Sequence, residues 1–113
     1  MPPKQNPLRL NKLQLKTLTL FQELARSPET SSAREDGSFL IASIPQPHGN
    51  HFHLGTGVVM AADASGLQNQ SVWRALERKA LIESGFPRVL VLTPAGKDYD
   101  TGLREQLLHI AEH

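Results

Sequence analysis

The chain contains no cysteine. It can form neither a disulfide framework nor a thiolate zinc site, and such a composition suits a reducing compartment. No apolar run approaches the roughly 18 residues needed to cross a bilayer, and the proline-rich start, Met1 to Pro7, leads into no signal-peptide core. The two absences together predict a soluble cytoplasmic protein. Catalytic patterns are missing as well. There is no thiol nucleophile, Ser71 has no histidine near it in sequence, and Gly55, Thr56 and Gly57 lack the lysine of a phosphate loop. The acidic residues show no paired acid–base arrangement, so the chain reads as a non-enzyme with no cofactor. A strong excess of one charge is also lacking: the formal net charge is +1. Distribution carries more than the sum. Over residues 1–26, Lys4, Arg9, Lys12, Lys16 and Arg26 stand against Glu23 alone, and over 69–88, Arg74, Arg78, Lys79 and Arg88 stand against Glu77 and Glu83. That predicts a modest basic face, or an ordinary solvated surface.

At 113 residues, 39% of them apolar, the chain has material for one core, and we read residues 1–113 as a single domain. The most informative stretch is Val58 to Leu76. Ala61 and Ala62 are small where a second helix must come close, Gly66 stands where the chain turns, and Leu67 plugs the turn. Val72, Ala75 and Leu76 then make one buried stripe at helical spacing. This is the pattern of a helix-turn-helix over 58–83. It leaves Gln68, Asn69, Gln70, Trp73, Arg74, Glu77 and Arg78 toward the open side, with Ser71 a further candidate, where amides, hydroxyls and guanidinium groups read base edges and hold phosphates. The same small-residue turn also joins helices in proteins that touch no nucleic acid.

Arg88 to Leu92 is β-branched and apolar, as a strand requires, after a break at Ser84 to Pro87. Thr93 and Pro94 then supply an N-cap and a first helical residue. On these residues, ALERKALIESGFPRVLVLTPAGKDY with its Leu-Ile pair and LTPAG element, the chain resembles the winged-helix regulators of the MarR type over about residues 58–100. The resemblance implies an α+β winged helix-turn-helix, a wing over 84–93, and a transcriptional regulator binding double-stranded DNA with its recognition helix in the major groove. Gln70, Ser71 and Arg74 then lie near base edges, and Asn69, Arg78 and Arg88, the wing's one cation, lie on phosphates. The alternative is a winged-helix module that binds protein without DNA, with Trp73 as its anchor. A third placement of Trp73 is half-buried core.

Asn11 and Gln14 fit a capping box opening a first helix over 11–26, with Leu13, Thr17, Leu20, Phe21 and Leu24 on one stripe. Leu103, Leu107, Leu108 and Ile110 form a second stripe in a helical segment over 94–111. The resemblance implies a homodimer through these terminal helices; a plain intrachain pairing of the two stripes is the other outcome. Residues 27–37 read as an exposed loop. Beyond it the pattern departs from the family, because 38–44 and 51–57 look like two strands of an added hairpin over 38–57. Within it, His48, His51 and His53 are candidate metal ligands, since residues two apart on a strand face the same way.

Overall fold

The computed structural model describes residues 6–44, 51–54, 57–107 and 109–110, and at 51–54, 57, 106 and 109–110 the backbone alone. The fold is α+β. Helix α1 (Lys12–Arg26) is entered through the capping box: the Asn11 side chain accepts from the Gln14 amide at 2.8 Å, and the Gln14 side chain accepts from the Asn11 amide at 2.9 Å. Asn11→Ala is expected to cost about 1 kcal/mol in a urea denaturation series, the usual worth of an N-cap; an unchanged midpoint would refute the role.

α1 buries more than one stripe: Thr17, Leu18, Thr19, Leu20, Phe21, Leu24 and Ala25 are all inside. The reason is its central position, with elements of the same chain packed around it. Leu103 and Leu107 are buried in the same core as Leu18, Leu20 and Phe21. Of the two leucine stripes expected to join two copies, Leu20, Leu24, Leu103 and Leu107 are thus covered within one chain, and for these leucines the intrachain alternative describes the packing.

Residues 27–37, expected as a loop, contain strand β1 (Ser31–Ala33), which folds back on β2 (Phe39–Ile41). Three short side chains at a sheet edge carry no hydrophobic alternation, so pairing with β2 across the turn decides their conformation. Asp36 closes the turn by accepting from the Ser38 amide at 2.9 Å, and the Ser38 hydroxyl beside it holds the Asp36 carboxyl below its ordinary range. Gly37, at φ +87°, supplies the left-handed residue of that turn.

The hairpin expected over 38–57 does not form as one unit. β2 pairs instead with a later strand, and β3 (His51–Leu54) pairs with β4 (Gly57–Met60). Residues 58–60, expected as the start of a helix, are therefore strand: paired β-branched valines suit a ladder better than a helix. From β4 the chain enters a 3-10 helix, Ala61–Gln68, although 3-10 runs longer than about four residues are uncommon. Gly66 sits inside this segment, not at a left-handed turn; the described glycines with positive φ are Gly37 and Gly102. Its requirement is space, since a Cβ there would lie 1.7 Å from the Thr17 hydroxyl oxygen on α1.

α2 (Gln70–Arg78) is capped by Asn69 and stops short of residue 83. Ala80 turns left-handed at φ 62°, and Ile82 already begins β5 (Ile82–Gly85). β5 returns through Phe86, Pro87 and Arg88 into β6 (Val89–Leu92), with a cis bond before Pro87. The main sheet is antiparallel throughout, in the order β1-β2-β6-β5. Ile41, Leu90, Leu92 and Ile82 bury its inner face; Ser32, Leu40, Val91 and Glu83 form one cross-strand row on the other.

Thr93 caps α3 (Pro94–Asp98) as expected, accepting from the Gly96 amide at 3.0 Å. The same hydroxyl reaches the carbonyls of Ala80 and Leu81 at 2.8 and 3.0 Å. A Cβ at Gly96 would fall 2.1 Å from the Leu81 carbonyl oxygen. The physical content of the Leu-Thr-x-x-Gly element is therefore a dock: a cap threonine and a bare glycine seat α3 on the junction between α2 and β5.

The continuous helical segment expected over 94–111 is instead α3, a linker, α4 (Arg104–Leu107) and β7 (His109–Ile110), which pairs with β4. Gly102, at φ 68°, interrupts the helical path. The linker is stitched to α1: Thr19 and Thr101 share a buried hydroxyl contact of 2.6 Å, and the Gln22 amide donates to the carbonyls of Gly96 and Tyr99. Leu108 lies outside the described residues. Among the described residues no helix is long and apolar enough to cross a membrane.

Candidate nucleic-acid interface

α2 divides cleanly into two faces. Val72, Trp73, Ala75 and Leu76 point into the core, while Gln70, Ser71, Arg74, Glu77 and Arg78 are exposed. Arg74 and Arg78 are one helical turn apart, as are Gln70 and Arg74, so the amide and the two guanidinium groups lie on one stripe. Among the described residues no hydrogen bond or ion pair engages the side chains of Gln68, Gln70, Arg74, Arg78 or Arg88. Their donors are open to an outside partner.

Two exposed polar residues of this face are already occupied. The Asn69 side-chain oxygen accepts from the amides of Ser71 and Val72 at 3.0 and 3.4 Å, which leaves its amide N–H groups free. Glu77 accepts from the Ser84 amide at 2.9 Å and so ties α2 to strand β5. That bond was not visible in the sequence, because Glu77 lies on the helix's polar stripe and nothing local marks its partner. Arg88 is exposed in the turn of the β5–β6 hairpin.

Trp73 is a correction. Expected among the open-side residues, it is fully buried. Its ring meets Phe21 of α1 and Phe86 of the hairpin turn edge-on, with centroids 5.2 and 5.0 Å apart, and its indole N–H donates to the Gly66 carbonyl at 3.2 Å. A side chain beside the apolar stripe of 72, 75 and 76 goes inside once another element covers it, and the β5–β6 hairpin does so. The ring can serve neither as a groove contact nor as an exposed anchor for another protein.

Of the candidate metal ligands, His48 lies outside the described residues, and His51 and His53 are described by backbone alone, at the register positions opposite Met60 and Val58. Among the described residues no three histidine, cysteine, aspartate or glutamate side chains come together as a metal site.

Comparison with protein-family models, with curated proteins and with solved structures finds no match to this chain.

Proposed function

We propose that the protein is a DNA-binding transcriptional regulator of winged-helix type, which places α2 in the major groove of double-stranded DNA and uses the β5–β6 hairpin as its wing. The observation that carries the reading is the exposed stripe of α2: the side chains of Gln70, Ser71, Arg74 and Arg78 face outward with no hydrogen-bond or ion-pair partner among the described residues, on a helix whose other face is fixed in the core. Two further features support it. With the β1 edge strand and the β3–β4 hairpin set aside as additions, the order α1, β2, 3-10 segment, α2, β5, β6, with β6 between β2 and β5, suits a winged helix whose first helix-turn-helix element is a 3-10 segment. Ion pairing among the described residues leaves Arg74, Arg78 and Arg88 free to meet phosphates, whereas Lys16, Arg26 and Arg104 are engaged by Asp63 and Glu23. The alternative of a protein-binding module loses the exposed tryptophan on which it rested.

Fluorescence anisotropy with random-sequence duplex DNA at two salt concentrations tests the reading. If Arg74, Arg78, Lys79 and Arg88 each neutralise one phosphate, log K falls against log salt with a slope of about −3.6. Once a preferred site is selected, Arg74→Ala is expected to cost about 1–3 kcal/mol and relax one base position, whereas Arg88→Ala weakens all sequences alike and flattens the slope by about 1. Absence of binding at low salt, or an affinity indifferent to salt, sinks the proposal.

A further inference from the structure

A second polar site lies away from α2, where the C-terminal half of α1 meets α3 and α4. Two adjoining cavities of 420 and 390 Å³ share Gln22, Arg26, Lys97 and Arg104 in their walls. Each falls within the size of a small-molecule pocket.

The charges differ in exposure. Glu23, whose side chain is 11% exposed, lines the first cavity and holds two guanidinium groups. Arg104 grips it in a fork, through Nε and through Nη2 at 3.3 Å, while Arg26 spends only Nε, at 3.2 Å. The carboxylate raises the already high Arg104 pKa, by hydrogen bonding first and by charge second. The arginine side chains remain 64% and 53% exposed, so the half-buried carboxylate orients two cations whose remaining N–H groups are uncommitted among the described residues. Lys97 has no carboxylate partner among the described residues; its ammonium lies over the Phe39 ring, 5.4 Å from the centroid. Two guanidinium groups and one ammonium against the single Glu23 carboxylate leave the first cavity with an excess of positive charge and unspent N–H donors, which suits a tetrahedral dianion. The second cavity differs. It adds Asp100 and Glu105, acceptors that repel another anion and accept hydrogen bonds from hydroxyls.

We infer that this paired cavity binds a small phosphomonoester with a hydroxylated body, of the sugar-phosphate class. The phosphate sits among Arg26, Lys97 and Arg104, and the ligand's hydroxyls face Asp100 and Glu105. The site makes no use of α2, so it stands or falls separately from DNA binding.

The test is an amide-resolved NMR titration of the full chain with three probes: glucose 6-phosphate, inorganic phosphate and glucose. Ionic strength is held constant with potassium chloride, so that screening is equal in every sample. Saturable shifts confined to residues 22–26 and 96–105 are expected for glucose 6-phosphate. Inorganic phosphate should bind more weakly, and glucose should give no shift. The R26Q/K97Q variant alters two exposed side chains and is expected to lose at least about tenfold in affinity for both phosphate probes, about 1.4 kcal/mol. D100N should weaken glucose 6-phosphate and leave inorganic phosphate unchanged, which keeps the test decisive if the double variant folds poorly. Non-saturating drift with every probe overturns the inference. So does equal affinity of the two phosphates, or undiminished binding by R26Q/K97Q.

Discussion

Trp73→Ala is expected to remove about 3–5 kcal/mol of stability, the cost of emptying a large aromatic site in a packed core. For a domain whose whole stability is of the order of 5–15 kcal/mol, that is about a fifth of the total or more. The expectation rests on the closure of the site. The indole is 0% exposed, sits between the edges of Phe21 and Phe86, and has its N–H satisfied by the Gly66 carbonyl. Truncation to alanine removes both aromatic contacts, leaves a void bounded by three separate elements, and costs the Gly66 carbonyl one of its two donors, the other being the Asn69 amide. Trp73→Phe retains most of the apolar volume and should cost less, chiefly the lost N–H donor and imperfect packing. Because Trp73 is the single tryptophan, its emission reports its own surroundings: blue-shifted in the native protein and red-shifting in the urea transition. A loss under about 1 kcal/mol for the alanine variant, or a native spectrum typical of an exposed indole, would show that the ring is not core. The phenylalanine variant should also keep its DNA affinity, since the ring does not face the proposed groove.

Trp73 marks where the sequence stops being legible. Periodicity identifies the stripe of Val72, Ala75 and Leu76 and the polar stripe of Gln70, Arg74 and Arg78 opposite it, and both appear on α2 as expected. Trp73 falls between the stripes. Its side is decided by Phe86, thirteen positions on, in a turn whose course no helical pattern encodes. Elements with a local chemical cause were readable: the capping box of α1, the β-branched run of β6 and the Thr93–Pro94 helix start. Those fixed by a pairing partner and not by their own side chains are not. β1 has three short side chains and exists because β2 is beside it; β4 runs straight into the alanine-rich segment that follows, and its strand character comes from the hairpin with β3 and from β7 at the far end of the chain. The paired cavity was invisible for the same reason. Arg26, Lys97 and Arg104 are ordinary surface cations in sequence until α3 and α4 are laid against α1.

Gly66→Ala should destabilise the fold by about 1–3 kcal/mol or more, as overpacking does in a core with no room to relax. The added Cβ would stand 1.7 Å from the Thr17 hydroxyl oxygen, 3.0 Å from its Cβ and 3.3 Å from its methyl group. Neither side can yield cheaply. Thr17 is fully buried, and its hydroxyl donates to the Leu13 carbonyl at 2.8 Å, so turning the side chain away breaks that bond inside the protein. Moving the 3-10 segment off α1 instead pulls the Gly66 carbonyl away from the Trp73 indole and from the Asn69 amide that begins the entry to α2. The two explanations of this glycine separate in a double-mutant cycle. If Gly66 is required for close approach, Thr17→Ala removes the oxygen and methyl that the new Cβ would strike, and the double variant recovers about 1–2 kcal/mol relative to the sum of the singles. If the residue is required for a left-handed backbone, as a turn glycine would be, trimming Thr17 recovers nothing and the two costs add. The negative side of φ at this position predicts the first outcome; strict additivity, or a neutral Gly66→Ala, would place the constraint elsewhere.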